Sequence, residues 1–487
     1  MKKRPHIVIF NPDQFRVDAL GHLGNEAAVT PNLDRLVETD AVSFQNAFCQ
    51  NPVCTPSRCS FMSGWYPHVR GHRTIFHMLQ DDERVLLRDL KEDGYFVFWA
   101  GKNDLVPAEN SFDKYCNVKY QPKRQVRKIW KAFEKARGEI TGDNYYSFYV
   151  GKIDKGEADH FHDDDWENVY GALEFIKIAP KDQPFCIYLP LVYPHPPYAV
   201  EDPWYSMIDR NKVPDRIPTP VDWSKKPKML KGIYERQNLQ NWTEDRWKEL
   251  QATYLGMCAR VDHQFGLIIQ ALKDAGVYDD TAIFFFSDHG DFTGDYGLVE
   301  KTQNTFEDSL TNVPFIFKPP KDYPVKPGIS DALVELIDFP ATVEALTGIV
   351  PKHTHFGKSL LPLVTGEKTD HRDAVFCEGG RLFGETHCME LEANITPQSP
   401  YWPRVGLQYQ ETGEHTKAVM IRTKEYKYVM RLYEQDEFYD LVKDPQELNN
   451  EIDNPEYQHI ILSLKERLLR FFLETGDVVP HKPNKRS

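Results

Sequence analysis

One strand-like run constrains the fold of this chain more than any other part of its sequence. Residues 281–287 read Thr-Ala-Ile-Phe-Phe-Phe-Ser and lack the alternating polar residues of a half-exposed strand. The run therefore predicts a strand that is buried on both faces, as in parallel sheets covered by helices on each side. Residues 247–276, which precede it, carry apolar side chains at helical spacing and end at a glycine, so they predict one of the covering helices.

The same alternation of patterns extends over most of the chain. A helical pattern lies at 85–93, and further short apolar runs predict strands at 7–10, 95–100 and 185–191. Strands that alternate with helices predict a three-layer α/β/α sandwich with a mostly parallel central sheet. Residues 203–242 are rich in Pro, Lys and Trp with weak periodicity, and we expect an irregular segment that walls the cleft.

The pattern changes after about residue 370. Three strand-like runs then follow one another without intervening helices, and an amphipathic helix pattern closes the chain, at 418–423, 426–431, 437–441 and 456–474. Successive strands of this kind predict an antiparallel sheet. We therefore predict an α/β domain over residues 1–370 and a smaller C-terminal subdomain over 371–487.

Charge and hydropathy exclude some classes of function. The formal net charge is −14 and no dense basic run occurs outside the termini, so we expect no nucleic-acid partner. No stretch approaches the roughly 18 apolar residues of a membrane span, and we expect no membrane partner. The basic N-terminus is followed by an apolar run of residues 7–10 only, too short for a signal peptide. This favours a cytoplasmic location.

Cysteine spacing draws attention to a single position. The eight cysteines form no Cys-x-x-Cys pair, so they indicate neither a zinc ribbon nor a disulfide framework. Cys54 lies in a distinctive stretch, which reads Cys54-Thr55-Pro56-Ser57-Arg58 and is followed by Ser63-Gly64 and Pro67. A Cys after a loop with an Arg four residues later is a candidate nucleophile, although a buried thiol beside a helix cap fits the same residues.

This stretch resembles the signature of the formylglycine-dependent sulfatases, a family of the alkaline phosphatase superfamily. The resemblance implies that a maturation enzyme oxidises Cys54 to formylglycine and that the substrate is a small anionic sulfate ester. A hydrated aldehyde carries two hydroxyls on one carbon. One attacks sulfur, and deprotonation of the other expels sulfate and regenerates the aldehyde.

A metal site is predicted at the ends of two strands. Asp13 follows the first strand, and Asp288 and His289 follow the Phe-rich run. Carboxylates at the carboxyl ends of parallel strands can converge on one divalent cation. The resemblance implies that Asp13, Asp288, His289 and modified Cys54 bind Ca²⁺, or else Mn²⁺ or Mg²⁺. Gln14 replaces the second aspartate of many relatives, and its carbonyl is a further candidate ligand.

Four more residues match positions that act in catalysis in this family. The resemblance implies that Arg58 hydrogen-bonds the formylglycine hydroxyl and that Lys102 binds the sulfate. It also implies that His195, in a Pro-His-Pro-Pro-Tyr loop, protonates the leaving oxygen, which Lys301 contacts as well. Taken alone, each of these residues also fits an ordinary surface or structural role.

The sequence departs from the family at one catalytic position. Asp104 replaces the histidine that relatives carry two residues after the lysine, and this leaves Asp104 or His72 as the base for the second hydroxyl. We predict that both residues contact substrate, together with Arg73 from a basic cluster and Arg381 from the C-terminal part. Their polar groups suit a sugar ring.

Two other functions are compatible with the sequence. Phosphonate monoester or phosphodiester hydrolases of the superfamily share the Asp-Gln-x-Arg pattern found at residues 13–16. A binding protein on an inactive sulfatase scaffold is the third hypothesis. Asp104 favours it, whereas the retained Cys54, Lys102, His195 and Lys301 oppose it.

Overall fold

The computed structural model describes residues 4–390, 396–410 and 415–486. The strands are β1 His6–Asp13, β2 Val42–Phe48, β3 Phe96–Trp99, β4 Val118–Lys119, β5 Tyr149–Lys152, β6 Phe185–Pro194, β7 Tyr198–Val200, β8 Thr281–Phe286, β9 Phe315–Lys318, β10 Gly328–Glu335, β11 Val375–Gly379, β12 Ala418–Arg422, β13 Tyr426–Arg431 and β14 Glu437–Asp440. The helices are α1 Pro31–Thr39, α2 Cys54–Ser63, α3 Pro67–Arg70, α4 Leu86–Glu92, α5 Ile129–Ala136, α6 Asp164–Ile178, α7 Trp204–Met207, α8 Lys228–Gln237, α9 Glu244–Asp274, α10 Asp308–Thr311, α11 Asp338–Thr347, α12 Leu361–Val364, α13 Trp402–Gln410 and α14 Gln458–Thr475.

The main sheet has eight strands in the order β10-β2-β9-β8-β1-β6-β3-β4. Strand β9 runs antiparallel to both of its neighbours, and the other neighbouring pairs are parallel. The central strand β1 lies between β8 and β6. This arrangement confirms the predicted α/β fold with a mostly parallel central sheet.

Successive residues of the central strands face opposite sides of the sheet and fill two separate cores. Val8 and Phe10 of β1 pack with apolar residues of α1, α6 and α9. Ile7 and Ile9 pack on the other side with residues of α2, α4 and α11. The Phe-rich strand β8 divides in the same way, which explains why its sequence lacks polar alternation.

A second sheet, β11-β12-β13-β14, is antiparallel throughout and confirms the predicted C-terminal sheet. Helix α14 covers one face, where Phe471 stacks on Phe376 with ring centroids 4.0 Å apart. Cys377 and Met420 of the same sheet instead join a core of the large domain. The boundary between residues 370 and 371 stays a prediction.

The prediction for residues 203–242 was incomplete, because they contain α7 and α8. Met229, Leu230 and Ile233 of α8 pack against Phe292 and Tyr296, just beyond the end of β8. The helix is too short to give a clear period in the sequence. Among the described residues, no helix combines the length and hydropathy needed to span a membrane.

Candidate active site

The candidate active site forms where β1 and β8 end and α2 begins. The two strands are parallel neighbours, so Asp13 at the end of β1 and Asp288 just beyond β8 reach the same edge of the sheet. Cys54 is the first residue of α2. Potential ligand atoms of Asp13, Cys54, Asp288 and His289 all lie within 4.8 Å of one another, and the four residues are buried.

Arg58 links the two carboxylates. Its Nη2 lies 3.1 Å from Asp13 Oδ2 and 2.8 Å from Asp288 Oδ2, and its Nε donates to Asp288 at 2.9 Å. Nη1 donates to Asn11 Oδ1 at 2.8 Å. Because Arg58 is one turn after Cys54, α2 places the nucleophile and this charge on one face. These described contacts go to the carboxylates rather than to the Cys54 sulfur.

Cys54 is surrounded by the other ligand candidates. Its Sγ lies 3.5 Å from Asp13 Oδ1 and 3.2 Å from His289 Nε2. His289 Nδ1 donates to the carbonyl of Gly290 at 2.8 Å, so Nε2 carries the lone pair that faces the site. Burial and the Asp13 charge raise the pKa of the Cys54 thiol to about 12, which makes the unmodified side chain a neutral thiol at neutral pH.

Cations compensate the buried charge of Asp13. Burial by itself would raise its pKa, but Lys102 and Arg58 hold the pKa of this carboxyl well below its usual value. The Lys102 amine lies 2.5 Å from Asp13 Oδ2 and 2.7 Å from Asp104 Oδ2. Gly101 has φ +124°, and a Cβ there would stand 2.1 Å from the carbonyl of Pro190. Only glycine fits this turn, which brings Lys102 into the site.

Lys301 enters from the loop that follows β8. Its amine donates to Gln14 Oε1 at 2.7 Å and lies 2.9 Å from Glu300 Oε1. Gln14 Nε2 donates to Asp291 at 2.5 Å. Both the oxygen and the nitrogen of the Gln14 side-chain amide therefore have hydrogen-bond partners. The role of Gln14 as a metal ligand stays a prediction. Asp291, which the sequence reasoning did not assign, belongs to the same Asp-His-Gly-Asp run as Asp288 and could have been found from it.

His195 lies on the same edge of the sheet, after β6. Its Nδ1 donates to the carbonyl of Pro196 at 2.6 Å, which leaves Nε2 for a ligand. Burial and the nearby Lys301 lower the pKa of His195 to about 3, although Asp13 opposes this shift. The free protein therefore holds a neutral imidazole between cations.

The structure separates the two candidates for the second base. Asp104 pairs with Lys102 and stands 4.0 Å from Arg58 Nε, so it belongs to the site. His72 donates from Nδ1 to the carbonyl of His77, and its Nε2 lies 2.9 Å from Glu83 Oε2. Both ring nitrogens are therefore engaged in structural contacts. The geometry brings Asp104, and not His72, to the predicted centre.

The other two predicted substrate residues, Arg73 and Arg381, lie near residues 49–53, the loop before the candidate nucleophile Cys54, which we call the nucleophile loop. Arg73 pairs with Glu385 at 3.0 Å and donates to the carbonyl of Gly380 at 3.1 Å. Arg381 is buried and donates to the carbonyl of Gln408. The strand that precedes Arg381 holds the loop before Cys54, because Asn51 Nδ2 donates to the carbonyl of Glu378 at 2.7 Å.

Helix α13 supplies residues that the sequence reasoning missed. Arg404 Nε lies 3.5 Å from Glu300 Oε2, and its Nη1 donates to Glu390 at 3.1 Å. The charge of Arg404 also interacts with Cys54, and the hydroxyl of Tyr401 interacts with Lys301. No local motif marks these residues, because their place depends on how the C-terminal part packs on the large domain.

Comparison with known proteins agrees with this geometry. Residues 5–349 match the Sulfatase family, and residues 404–473 match the family described as N-sulphoglucosamine sulphohydrolase, C-terminal. The chain is 26% identical to an arylsulfatase of Clostridium perfringens over 96% of this chain and 94% of that protein. It is 25% identical to arylsulfatase K of Danio rerio over 92% of this chain and 80% of the relative.

A solved structure of similar fold is the phosphonate monoester hydrolase of Agrobacterium radiobacter. It has a TM-score of 0.75 at 21% identity, over 99% of this chain and 100% of that one. At this level of identity the likeness concerns the fold. The Sulfatase match covers well over half of the chain, from β1 to the end of α11, and includes all four candidate metal ligands. The chain therefore belongs to the sulfatase family of the alkaline phosphatase superfamily and is a sulfuric ester hydrolase.

Proposed function

We propose that this protein hydrolyses a sulfate monoester of a carbohydrate or another small molecule, with formylglycine made from Cys54 and a divalent cation. The observation that carries the proposal is the convergence of Asp13, Cys54, Asp288 and His289 within 4.8 Å, at the edge of the sheet where Lys102 also enters. The large domain offers a nucleophile, hard ligands and sulfate-binding cations in one place.

The donor set suits a divalent cation. Asp13 and Asp288 are fully buried carboxylates, and their oxygens lie within 4.8 Å of the possible ligand atoms of Cys54 and His289. His289 presents the lone pair of Nε2 to the same place. Carboxylate oxygens favour Ca²⁺, with Mn²⁺ or Mg²⁺ as alternatives. When bound, the cation supplies Lewis-acid stabilisation of the sulfate oxygens and lowers the pKa of the attacking hydroxyl.

The position of Cys54 suits its conversion to formylglycine. As the first residue of α2 it points its side chain toward Asp13 and His289, and the lysine charges of Lys102 and Lys301 act on it. A hydrated formylglycine supplies two hydroxyls on one carbon, one for attack on sulfur and one whose deprotonation releases sulfate. A maturation enzyme is the partner that this chemistry requires.

The surrounding side chains hold charge and protons for this reaction. Lys102 and Lys301 provide fixed positive charge for the sulfonyl oxygens, an electrostatic contribution that strengthens in a water-poor site. His195 holds its Nδ1 proton on the carbonyl of Pro196, which orients Nε2 for proton exchange with the leaving oxygen. A bound sulfate ester offsets the cations that lower the pKa of His195, and this favours proton uptake before the leaving group departs.

We further propose that Asp104 takes the proton of the second hydroxyl. Its carboxylate lies 2.7 Å from the Lys102 amine, whose charge acts in turn on Cys54. A carboxylate positioned beside the reacting group can serve as a general base. In this proposal, Asp104 acts as the base at the position where relatives carry a histidine.

The test uses protein co-produced with a formylglycine-generating enzyme. Intact-peptide mass spectrometry measures the aldehyde at residue 54, and a panel of sulfated mono- and disaccharides is screened for sulfate release. An aryl sulfate and an aryl phosphonate are assayed in parallel, because faster phosphonate turnover would favour the alternative hydrolase. Cys54→Ala should abolish sulfate release, whereas the control Cys116→Ala, at another buried cysteine outside the site, should retain it. Full activity of material that contains only the free thiol would refute the proposal.

A further inference from the structure

Three chain segments meet beside the nucleophile loop and enclose polar side chains that the proposed reaction does not use. The segments are 379–381 at the end of β11, 303–304 after Lys301, and 415–417 before β12. The Arg381 amide donates to the carbonyl of His415 at 3.1 Å. A Cβ on Gly379 would stand 1.8 Å from the carbonyl of Gln303, so these two segments are in close contact.

Arg381 carries a charge that no described carboxylate contacts directly. It is only 1% exposed, and its Nη2 donates to the carbonyl of Gln408 at 3.1 Å. Its Nε has no hydrogen-bond partner, and no carboxylate of the described residues lies within 4.0 Å of the guanidinium. A buried cation without a carboxylate is costly, and the burial lowers the pKa of Arg381.

The neighbouring arginines differ from Arg381 because each has an anionic partner. Arg73 pairs with Glu385, and Arg404 pairs with Glu390. All three arginine charges act on His415. Arg381 is therefore the one of these three arginines that forms no ion pair among the described residues.

Two neutral side chains of the same cluster lack hydrogen-bond partners. His415 is 3% exposed, and neither of its ring nitrogens has a partner among the described residues. Gln303 is also 3% exposed, and both ends of its amide are unpartnered in the described part of the chain. Buried polar atoms are usually satisfied, so a group of unsatisfied donors beside an active site indicates a ligand.

The cluster lies close to the reacting centre. Gln303 follows Lys301 by two residues, and the Asn51 amide holds the carbonyl of Glu378, one residue before Gly379. The charge of Arg404 acts on both Cys54 and His415. The backbone contacts at Glu378 and Gly379 thus place the cluster next to the loop that carries Cys54, and this adjacency is the reason for assigning both to one substrate.

We propose that Arg381, His415 and Gln303 form a subsite for a second anionic group of the substrate, a carboxylate or a further sulfate, next to the sulfate that is removed. The proposal rests on the proposed function and specifies its substrate class as doubly charged. Arg381 supplies the matching charge, a neutral His415 donates one N–H, and the Gln303 amide reads a neighbouring hydroxyl. The anionic group of the substrate then pairs with Arg381.

The test compares three sugars that carry one sulfate at the same position: a neutral hexose sulfate, the hexuronic acid sulfate, and a hexose with a second sulfate. The quantity of interest is the ratio of kcat/KM for each charged sugar to that for the neutral sugar. We expect a ratio well above one for at least one charged sugar in the wild type. Arg381→Gln should lower that ratio on the order of 10- to 100-fold, since a charge-assisted hydrogen bond is lost. The two charged sugars distinguish carboxylate from sulfate.

Two variants keep the test decisive. Arg470→Gln removes an equal charge from an exposed ion pair on α14 and should leave the ratio unchanged. Gln303→Leu replaces a buried unpartnered amide by an apolar group of similar size, so it should weaken the charged sugars without lowering the melting temperature. Equal kcat/KM for neutral and charged sugars, or an unchanged ratio in folded Arg381→Gln and Gln303→Leu, would overturn the subsite.

Binding to the unreactive Cys54→Ala protein separates this inference from the proposed function. Calorimetry with the same sugars should show tighter binding of a charged sugar that Arg381→Gln removes, whether or not turnover occurs. Sulfate release without any preference for a second charge would contradict only the subsite. A preference in binding without sulfate release by matured protein would contradict only the proposed function.

Discussion

The contacts of Arg58 allow the stability of the active site to be predicted quantitatively. Arg58 is fully buried and joins Asp13, Asp288 and Asn11. Arg58→Gln leaves two buried carboxylates with less counter-charge, and breaking a buried ion pair in this way costs about 3–5 kcal/mol. The substitution should therefore lower the free energy of unfolding by about this amount in the absence of metal.

The expected shift in melting temperature follows from the size of the chain. An unfolding entropy of about 2.1 cal/mol/K per residue, over 487 residues, amounts to about 1.0 kcal/mol/K. A loss of 3–5 kcal/mol then lowers the Tm by about 3–5 °C. Differential scanning calorimetry in EDTA measures this shift. Arg470→Gln is the matched control, because its ion pair with Glu466 is exposed and contributes about 1 kcal/mol or less.

Added cation should reverse part of the loss. A divalent ion at about 100 times its dissociation constant stabilises the folded state by about 2.7 kcal/mol. Because Arg58→Gln leaves the carboxylates more negative, Ca²⁺ should raise the Tm of the variant by more than it raises that of the wild type. A variant that melts within about 1 °C of the wild type in EDTA would refute the reasoning. An equal Ca²⁺ response in both proteins would refute the shared role of Arg58 and the cation.

Three further predictions concern catalysis and pH. Asp104→Asn should lower kcat by about 10²–10⁴-fold. Asp104→His should restore part of this activity with a changed pH profile. An unchanged kcat in Asp104→Asn would exclude Asp104 as the base. Chelation should stop sulfate release by the matured enzyme and lower its Tm, and undiminished activity after metal removal verified by elemental analysis would exclude the cation. Burial and three arginines lower the pKa of His415 to about 3, so the folded protein favours the neutral ring. The free energy of unfolding should therefore fall as the pH drops below about 6.5, by up to about 1.4 kcal/mol per pH unit. His415→Phe should remove this part of the acid sensitivity, and an unchanged pH dependence of unfolding would contradict the shift.

Some parts of the structure could be predicted because the information is local in the sequence. The Phe-rich strand β8 has no polar alternation, and its two faces pack into two cores. The residues that follow β1 and β8 lie at one sheet edge, so Asp13 and Asp288 could be expected to converge. The antiparallel strands β12 and β13 were confirmed to within one residue at each end.

Other parts depend on contacts that no short pattern encodes. Arg404 reaches Glu300 only because α13 packs against the large domain, and the backbone of Gln303 contacts Gly379, which is distant in sequence. Residue spacing does not show whether the His72 ring is free to act in catalysis. The structure pairs its Nε2 with Glu83. Helix α8 has few apolar positions and gave too weak a period to be predicted.

The hydrogen bond from Asn51 to Glu378 sets an order of events during translation. The two residues are 327 positions apart, so the nucleophile loop cannot adopt its final shape until most of the protein has left the ribosome. At about 5–20 residues per second this takes roughly 16–65 s. Under the proposed function, this interval is the period in which a maturation enzyme would reach Cys54 most easily, since the side chain is only 6% exposed in the folded protein. A slower ribosome should therefore yield a larger fraction of converted side chain.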